Sequence, residues 1–151
     1  MKAMQAMTRN VVCVRGDDSL QVARDLMREW EIRHLPVVEN RHLHGVISDR
    51  DLLPYLTSGG ASSAKILVRE AMSRRVITCS PADSISHIAG LMIANKIDCI
   101  PVVEDDKELV GLITSMDLVD LLREREILDV SRVIPWGYRV QAPEAGYSGP
   151  S

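Results

Sequence analysis

The strongest constraint on this chain is that most of it is written twice. Laying residues 7–53 over residues 72–119, with one residue inserted at Glu108, matches Met7 with Met72, Arg9 with Arg74, Val11 with Val76, Asp18 with Asp83 and Ser19 with Ser84. The matches continue through Leu26/Leu91, Met27/Met92, Ile32/Ile97, the run "PVVE" at Pro36 and Pro101, Leu43/Leu109, Gly45/Gly111, Ile47/Ile113, Asp51/Asp117 and Leu52/Leu118. Two copies are too few for a solenoid, so the pattern predicts two similar halves packed face to face about a pseudo-twofold axis.

Each copy reads as the same order of elements. Residues 11–14 and 76–79 are short β-branched runs, predicted as strands, and each is followed by a turn segment, "RGDDS" or "SPADS". A helix comes next, capped by Asp18 or Ser19 and by Asp83 or Ser84. Leu20, Ala23, Leu26, Met27 and Trp30 recur on it at helical spacing, as do Ile85, Ile88, Leu91 and Met92 in the second copy. "LPVVE" and "LHGVI", then "IPVVE" and "LVGLI", predict two hairpins closed by the polar turns "NRH" and "DDKE". A second helix starts at "SDRD" and at "TSMD"; Pro54 shortens or bends the first, and Leu118, Leu121, Leu122 and Leu128 stripe the other. The fold class is therefore α/β (α+β), two β-α-β-β-α repeats. The expected division is 1–56 for repeat 1, 57–65 for a connector of small and polar residues, 66–129 for repeat 2 and 130–151 for a partly disordered tail. In that tail "VIPWGYRV" is apolar enough to dock on the body or a partner.

Composition excludes several classes. A chain of 151 residues can bury a core without staples, and a net charge of -3 offers no bulk attraction to nucleic acid or anionic lipid. No apolar run reaches the ~20 residues of a membrane span, and "MKAMQAMTRN" lacks a signal-peptide core, so a cytoplasmic protein is expected. Cys13, Cys79 and Cys99 are odd in number, have no C-x-x-C spacing and sit in apolar runs, as structural thiols do. His42 and His44 share one strand face but have no third ligand nearby, so no metal is expected. With aromatics at 3% and no phenylalanine, a base-stacking surface is disfavoured. Nothing supplies a general base beside a nucleophile, so no enzyme is expected and there are no candidate catalytic residues.

The recurring motif is "GVISDRD" at 45–51 and "GLITSMD" at 111–117. Ser48-x-x-Asp51 and Thr114-x-x-Asp117 have capping-box spacing, in which a hydroxyl and an acid reciprocally satisfy backbone amides at a helix start. The same corner points free amides at whatever lies beyond it, and an aspartate one turn in can accept bonds from vicinal hydroxyls. On the residues alone both readings stand.

The two copies resemble a pair of CBS domains, the Bateman module. The resemblance is carried by "MTRNVVCV", "DDSLQVARDLM", "IRHLPVVE" and "GVISDRD", then by "MSRRVITCSPADSISHIAGLM", "IDCIPVVE" and "GLITSMD". It implies a regulatory, stand-alone ligand-sensing module that binds adenosine-containing nucleotides in clefts between the repeats and signals to an effector protein of unknown identity. AMP, ADP or ATP are the first candidates, then NAD, S-adenosylmethionine and cyclic dinucleotides; no cofactor is required. It also implies a homodimer. The alternative is a structural or dimerisation module with vestigial clefts.

Carried over by position, the resemblance implies one cleft around Thr114 and Asp117 with Val12, Arg33, His34 and Pro36. The other lies around Ser48 and Asp51 with Ile77, Thr78, Asp98, Cys99 and Pro101. A guanidinium and an imidazole suit phosphate better than an acid and a thiol, so the Asp117 cleft is expected to take an anionic nucleotide and the Asp51 cleft to be the weaker.

Overall fold

The structure is a computed structural model that describes residues 1–56 and 64–124. Most of the connector expected at 57–65, the tail expected at 130–151 and Leu128 lie outside the described residues. By its internal contacts the chain divides into Met1–Leu118 and Val119–Ser151.

In chain order the elements are α1 (Ala3–Ala6), α2 (Leu20–Glu29), β1 (His34–Glu39), β2 (His42–Ser48), α3 (Asp49–Leu56), α4 (Val68–Ala71), α5 (Ile85–Asn95), β3 (Cys99–Glu104), a 3-10 turn (Asp105–Lys107), β4 (Glu108–Thr114) and α6 (Ser115–Glu124). The strands form one antiparallel sheet in the order β1-β2-β4-β3. Each hairpin is paired along its length, with His34 opposite Ser48 and Cys99 opposite Thr114; the two hairpins meet at a single register pair, His42 and Glu108. Asn40 and Arg41 close the first hairpin with φ of 51° and 70°. Two successive positive φ values match the twist that a two-residue hairpin loop needs.

Each half has its own core. Val14, Leu20, Ala23, Met27, Leu35, Val37, Ile47 and Leu52 are buried together in the first, and Cys79, Ile88, Met92, Ile100, Val102 and Ile113 in the second. Helices α2 and α5 contribute the stripes expected of them, and both are capped as predicted: Ser19 Oγ accepts from the Val22 amide at 3.3 Å and Ser84 Oγ from the His87 amide at 3.1 Å. Trp30 departs from the expected stripe, because it falls beyond the end of α2 and is 57% exposed.

The runs 11–14 and 76–79 are not full strands: each reaches the sheet through one parallel bridge, Val14 to Val37 and Cys79 to Val102. The short helices α1 and α4 were not anticipated, and they change partners. Ala3 is buried in the core of the second repeat, where its amide donates to the Asp83 carbonyl at 2.8 Å. Val68 is buried in the core of the first, where its amide donates to the Asp18 carbonyl at 2.8 Å. The segment leading into each repeat thus completes the other. Among the described residues no helix is long and apolar enough to cross a membrane.

Candidate functional site

The site is built at the corner where β2 becomes α3. The Ser48 amide donates to Asp51 Oδ2 at 2.9 Å and the Asp51 amide donates to Ser48 Oγ at 3.3 Å, closing the capping box that the spacing predicted. The β4–α6 corner repeats the pattern at 2.8 Å and 3.3 Å, with the Thr114 hydroxyl also donating to Asp117 Oδ2 at 3.1 Å. Both aspartates therefore have a structural task before any ligand is considered. Matching backbone bonds tie each corner to the loop before the first strand of its hairpin: the Asp49 amide donates to the Arg33 carbonyl and the Ser115 amide to the Asp98 carbonyl, both at 2.9 Å.

A cavity of about 320 Å³ opens at the Ser48–Asp51 corner. Its size is at the lower end of the ~300–1,000 Å³ common for small-molecule sites. Val46, Val76 and Ile77 supply apolar wall, while Arg33, Arg50, Arg75 and Lys96 bring four cationic side chains against the carboxylates of Asp49, Asp51 and Asp98. His34, Ser73, Ile97 and Cys99 also line it.

The electrostatics follow from burial. His34 has its pKa lowered, chiefly because half-burial penalises the imidazolium; Arg33 adds to this, and Asp49, Asp98 and Asp51 oppose it. Burial, then Asp117 and Asp98, push the Cys99 thiol up to about 12. Burial with Asp83 pushes Cys79 to about 11, and Cys13 is raised by burial too. All three thiols stay protonated near neutrality, which makes them poor nucleophiles.

Of the residues expected around Asp51, the structure brings together Ser48, Asp51, Ile77, Asp98 and Cys99. Thr78 is exposed and is not on the cavity wall. Pro36 and Pro101 are fully buried within β1 and β3, so neither presents a surface to a ligand. Val12 is half-buried against the first core. Arg33 and His34, expected beside Asp117, line the Asp51 cavity, because the β1–β2 register sets His34 opposite Ser48. The charge contrast that favoured the Asp117 cleft therefore does not describe this cavity.

Arg50, Arg75 and Lys96 were missed, though the repeat carried the signal. Their counterparts by alignment are Met116, Asn10 and Glu31, so the two copies differ in charge at each of these positions. The pairing of Lys96 with Glu31 is visible in the backbone, since both sit in the left-handed region, at φ 53° and 52°, one residue past or within the turn that ends its helix.

A family model described as "CBS domain" matches residues 3–58 and again residues 68–124. An inosine-5'-monophosphate dehydrogenase of Korarchaeum cryptofilum is 35% identical over 117 residues, covering 78% of this chain but 23% of its own length. The CBS domain-containing protein YhcV of Bacillus subtilis is 32% identical over 112 residues, covering 74% of this chain and 79% of its own. Among solved structures, the CBS domain pair of protein MJ0100 in complex with 5'-methylthioadenosine and S-adenosyl-L-methionine superposes with a TM-score of 0.73. It is 26% identical and covers 83% of this chain and 98% of that one. CBSX2 in complex with AMP gives a TM-score of 0.73 at 25% identity, with the same coverages of 83% and 98%. The chain spans about a quarter of the length of the dehydrogenase it matches. With both repeats matched and the two-hairpin sheet in place, this chain belongs to the CBS domain family as a pair of CBS domains.

Proposed function

We propose that this CBS pair is a regulatory module that binds an adenosine-containing, phosphate-bearing ligand in the Asp51 cavity and passes its occupancy to an effector protein. The observation that carries the reading is the wall itself: a hydroxyl–aspartate corner beside Arg33, Arg50, Arg75 and Lys96. Guanidinium and ammonium groups suit phosphate oxygens, apolar Val76 and Ile77 offer a surface for a base, and the Asp51 carboxylate retains lone pairs for ribose hydroxyls. The bound AMP of CBSX2 and the methylthioadenosine and S-adenosylmethionine of the MJ0100 pair support the adenosine class. AMP, ADP and ATP are the first ligands to test.

The test is a thermal-shift panel of AMP, ADP, ATP, NAD and S-adenosylmethionine. A ligand at a hundredfold its dissociation constant stabilises by ~2.7 kcal/mol, a rise of several degrees for a chain of this size. Asp51→Ala and the pair Arg75→Ala/Lys96→Ala abolish or weaken the response, and Asp117→Ala leaves it in place. The reverse order would return the nucleotide to the Asp117 corner.

A second reading, a dimerisation module, is favoured by Ile93 on α5 and Trp30 beyond α2, which are 80% and 57% exposed. Apolar side chains held this far into solvent are suited to cover by a second copy of the chain, in a cytoplasmic homodimer. A flat response across the panel, with a dimer by sedimentation, selects that reading alone.

A further inference from the structure

We propose that the groove between the Arg15–Gly16–Asp17 turn and α4 is a second anion site, distinct from the nucleotide cavity, which takes a small phosphoryl group. The groove encloses about 200 Å³ and shares no lining residue with the Asp51 cavity. At the ~30 Å³ that each water occupies in the liquid, that is room for a phosphoryl group and a few waters. Three guanidiniums, of Arg15, Arg69 and Arg74, line it with the His44 imidazole; the carboxylates present are those of Asp17 and Glu39.

The second copy of the repeat shows that the fold does not need this charge. The two turn–helix junctions share the same bonds. Arg15 and Ser80 donate their amides to Asp18 and Asp83, each at 2.8 Å. The Arg69 amide donates to the Gly16 carbonyl at 2.9 Å and the Met4 amide to the Pro81 carbonyl at 3.0 Å. Arg74 reaches the Arg69 carbonyl at 3.4 Å, as Arg9 reaches the Met4 carbonyl at 3.2 Å. One arginine, Arg74 or Arg9, thus belongs to the architecture of both copies. Arg15, Arg69 and His44 do not: their counterparts are Ser80, Met4 and Val110.

Gathering cations where the equivalent backbone accepts neutral residues adds repulsion without a structural return. Internal compensation is slight. Arg15 meets Asp17 at 3.7 Å, with the two side chains 72% and 64% exposed, so solvent screens the pair and little of the charge is offset. Among the described residues neither Arg69 nor Arg74 forms an ion pair with a carboxylate. A dianion with oxygens on several sides satisfies guanidinium forks from the turn and from α4 at once, joining the lead-in of the second repeat to the first.

The experiment is a titration of the whole chain with inorganic phosphate, and in parallel with methyl phosphate, at constant ionic strength and followed by amide NMR. Saturable shifts of the Gly16 and Arg69 amides are expected, and the tighter of the two probes identifies a free ion or an esterified phosphoryl group as the source. Arg15→Ser/Arg69→Met copies the residues that the second repeat already folds with, so it retains the fold and weakens binding at least about tenfold. Asp51→Ala leaves these shifts intact, which separates this site from the nucleotide cavity. Linear shifts equal to those in chloride, an unchanged affinity in the double variant, or shifts confined to Ser48, Arg75 and Lys96 would each overturn the proposal.

Discussion

Gly45→Ala is the most direct test of how the two repeats are held together. A Cβ at Gly45 would lie 2.6 Å from the Ser73 carbonyl oxygen and 2.9 Å from Met72 Sδ. That carbonyl cannot retreat freely, because Val46 and Ser73 exchange two backbone bonds at 3.0 and 2.9 Å. Gly→Ala at a compatible backbone position stabilises by ~0.4–1 kcal/mol, and no left-handed φ obstructs it here. Against this stand overpacking, ~1–3 kcal/mol, and loss or stretching of two bonds worth ~1 kcal/mol each. The expected net effect is a destabilisation of about 2–4 kcal/mol. Gly111→Ala is the internal control. There the three atoms nearest the added Cβ all belong to Met7: its Sδ, its Cγ 2.8 Å away and its Cβ 3.1 Å away. A thioether chain can swing aside, whereas the nearest atom at Gly45 is a bonded backbone carbonyl oxygen, so the cost falls to about 1–2 kcal/mol. Urea and thermal unfolding of both variants measure the difference, with Tm lowered by roughly 5–15 °C for Gly45→Ala and by roughly 2–6 °C for Gly111→Ala. A neutral or stabilised Gly45→Ala, or a Gly111→Ala that costs more, would refute the reasoning that an immovable carbonyl, rather than crowding in general, makes glycine necessary.

Three further outcomes are expected. Ser84→Ala removes the oxygen that caps α5 and lowers stability by about 1 kcal/mol, read as a Tm fall of roughly 2–4 °C; no change would mean that the His87 amide finds another acceptor. His34 has a folded pKa below its ordinary 6.5, so the unfolded chain takes up the proton first. Its contribution to stability is therefore intact above about 6.5 and is lost as pH falls from there through the lowered folded value. An anion in the cavity favours the imidazolium, so nucleotide affinity rises over the same descent, and His34→Gln flattens both profiles; profiles unchanged by the substitution would remove His34 from the account. Cys99, held up near 12 by burial and by Asp117 and Asp98, should resist iodoacetamide at pH 8 in the folded chain and react on denaturation; mass spectrometry of the tryptic peptides distinguishes the two, and rapid labelling of the native chain would contradict the burial.

What could be read from the sequence was what short-range chemistry dictates. The hairpins at "HLPVVE" and "CIPVVE" bury the same positions in the same order, and the Ser48–Asp51 and Thr114–Asp117 boxes close on the atoms their spacing required. Residues 11–14 misled because a β-branched run signals extended backbone, whereas strand length depends on how much of the run finds a partner; only Val14 reaches β1. The four-residue helices α1 and α4 are too short to show a period. Their reciprocal bonds, from the Lys2 amide to Gln5 Oε1 and from the Leu67 amide to Glu70 Oε2, were available as a repeated glutamine-or-glutamate one residue before alanine. The cavity wall was half visible. Ser48, Asp51 and Asp98 sit in motifs, but Arg50, Arg75 and Lys96 occupy positions the motifs leave open and come together only when the lead-in of the second repeat folds onto β2.

A chain that contains its own second copy carries a control for each claim about its site. Where both copies agree, as at Gly45 and Gly111 or in the paired capping boxes, the residue answers to the architecture, and its presence does not distinguish a corner that binds from one that does not. Selectivity has to come from positions where the copies part. Arg50 against Met116, Arg75 against Asn10 and Lys96 against Glu31 separate the two corners by charge, and Arg15 against Ser80 with Arg69 against Met4 separate the two turn–helix junctions. The same backbone bonds persist across the second of these contrasts. Folding therefore does not require the first-copy arginines beside the Arg15–Asp17 turn, and the Arg15→Ser/Arg69→Met variant separates their effect on an anion from any effect on the fold.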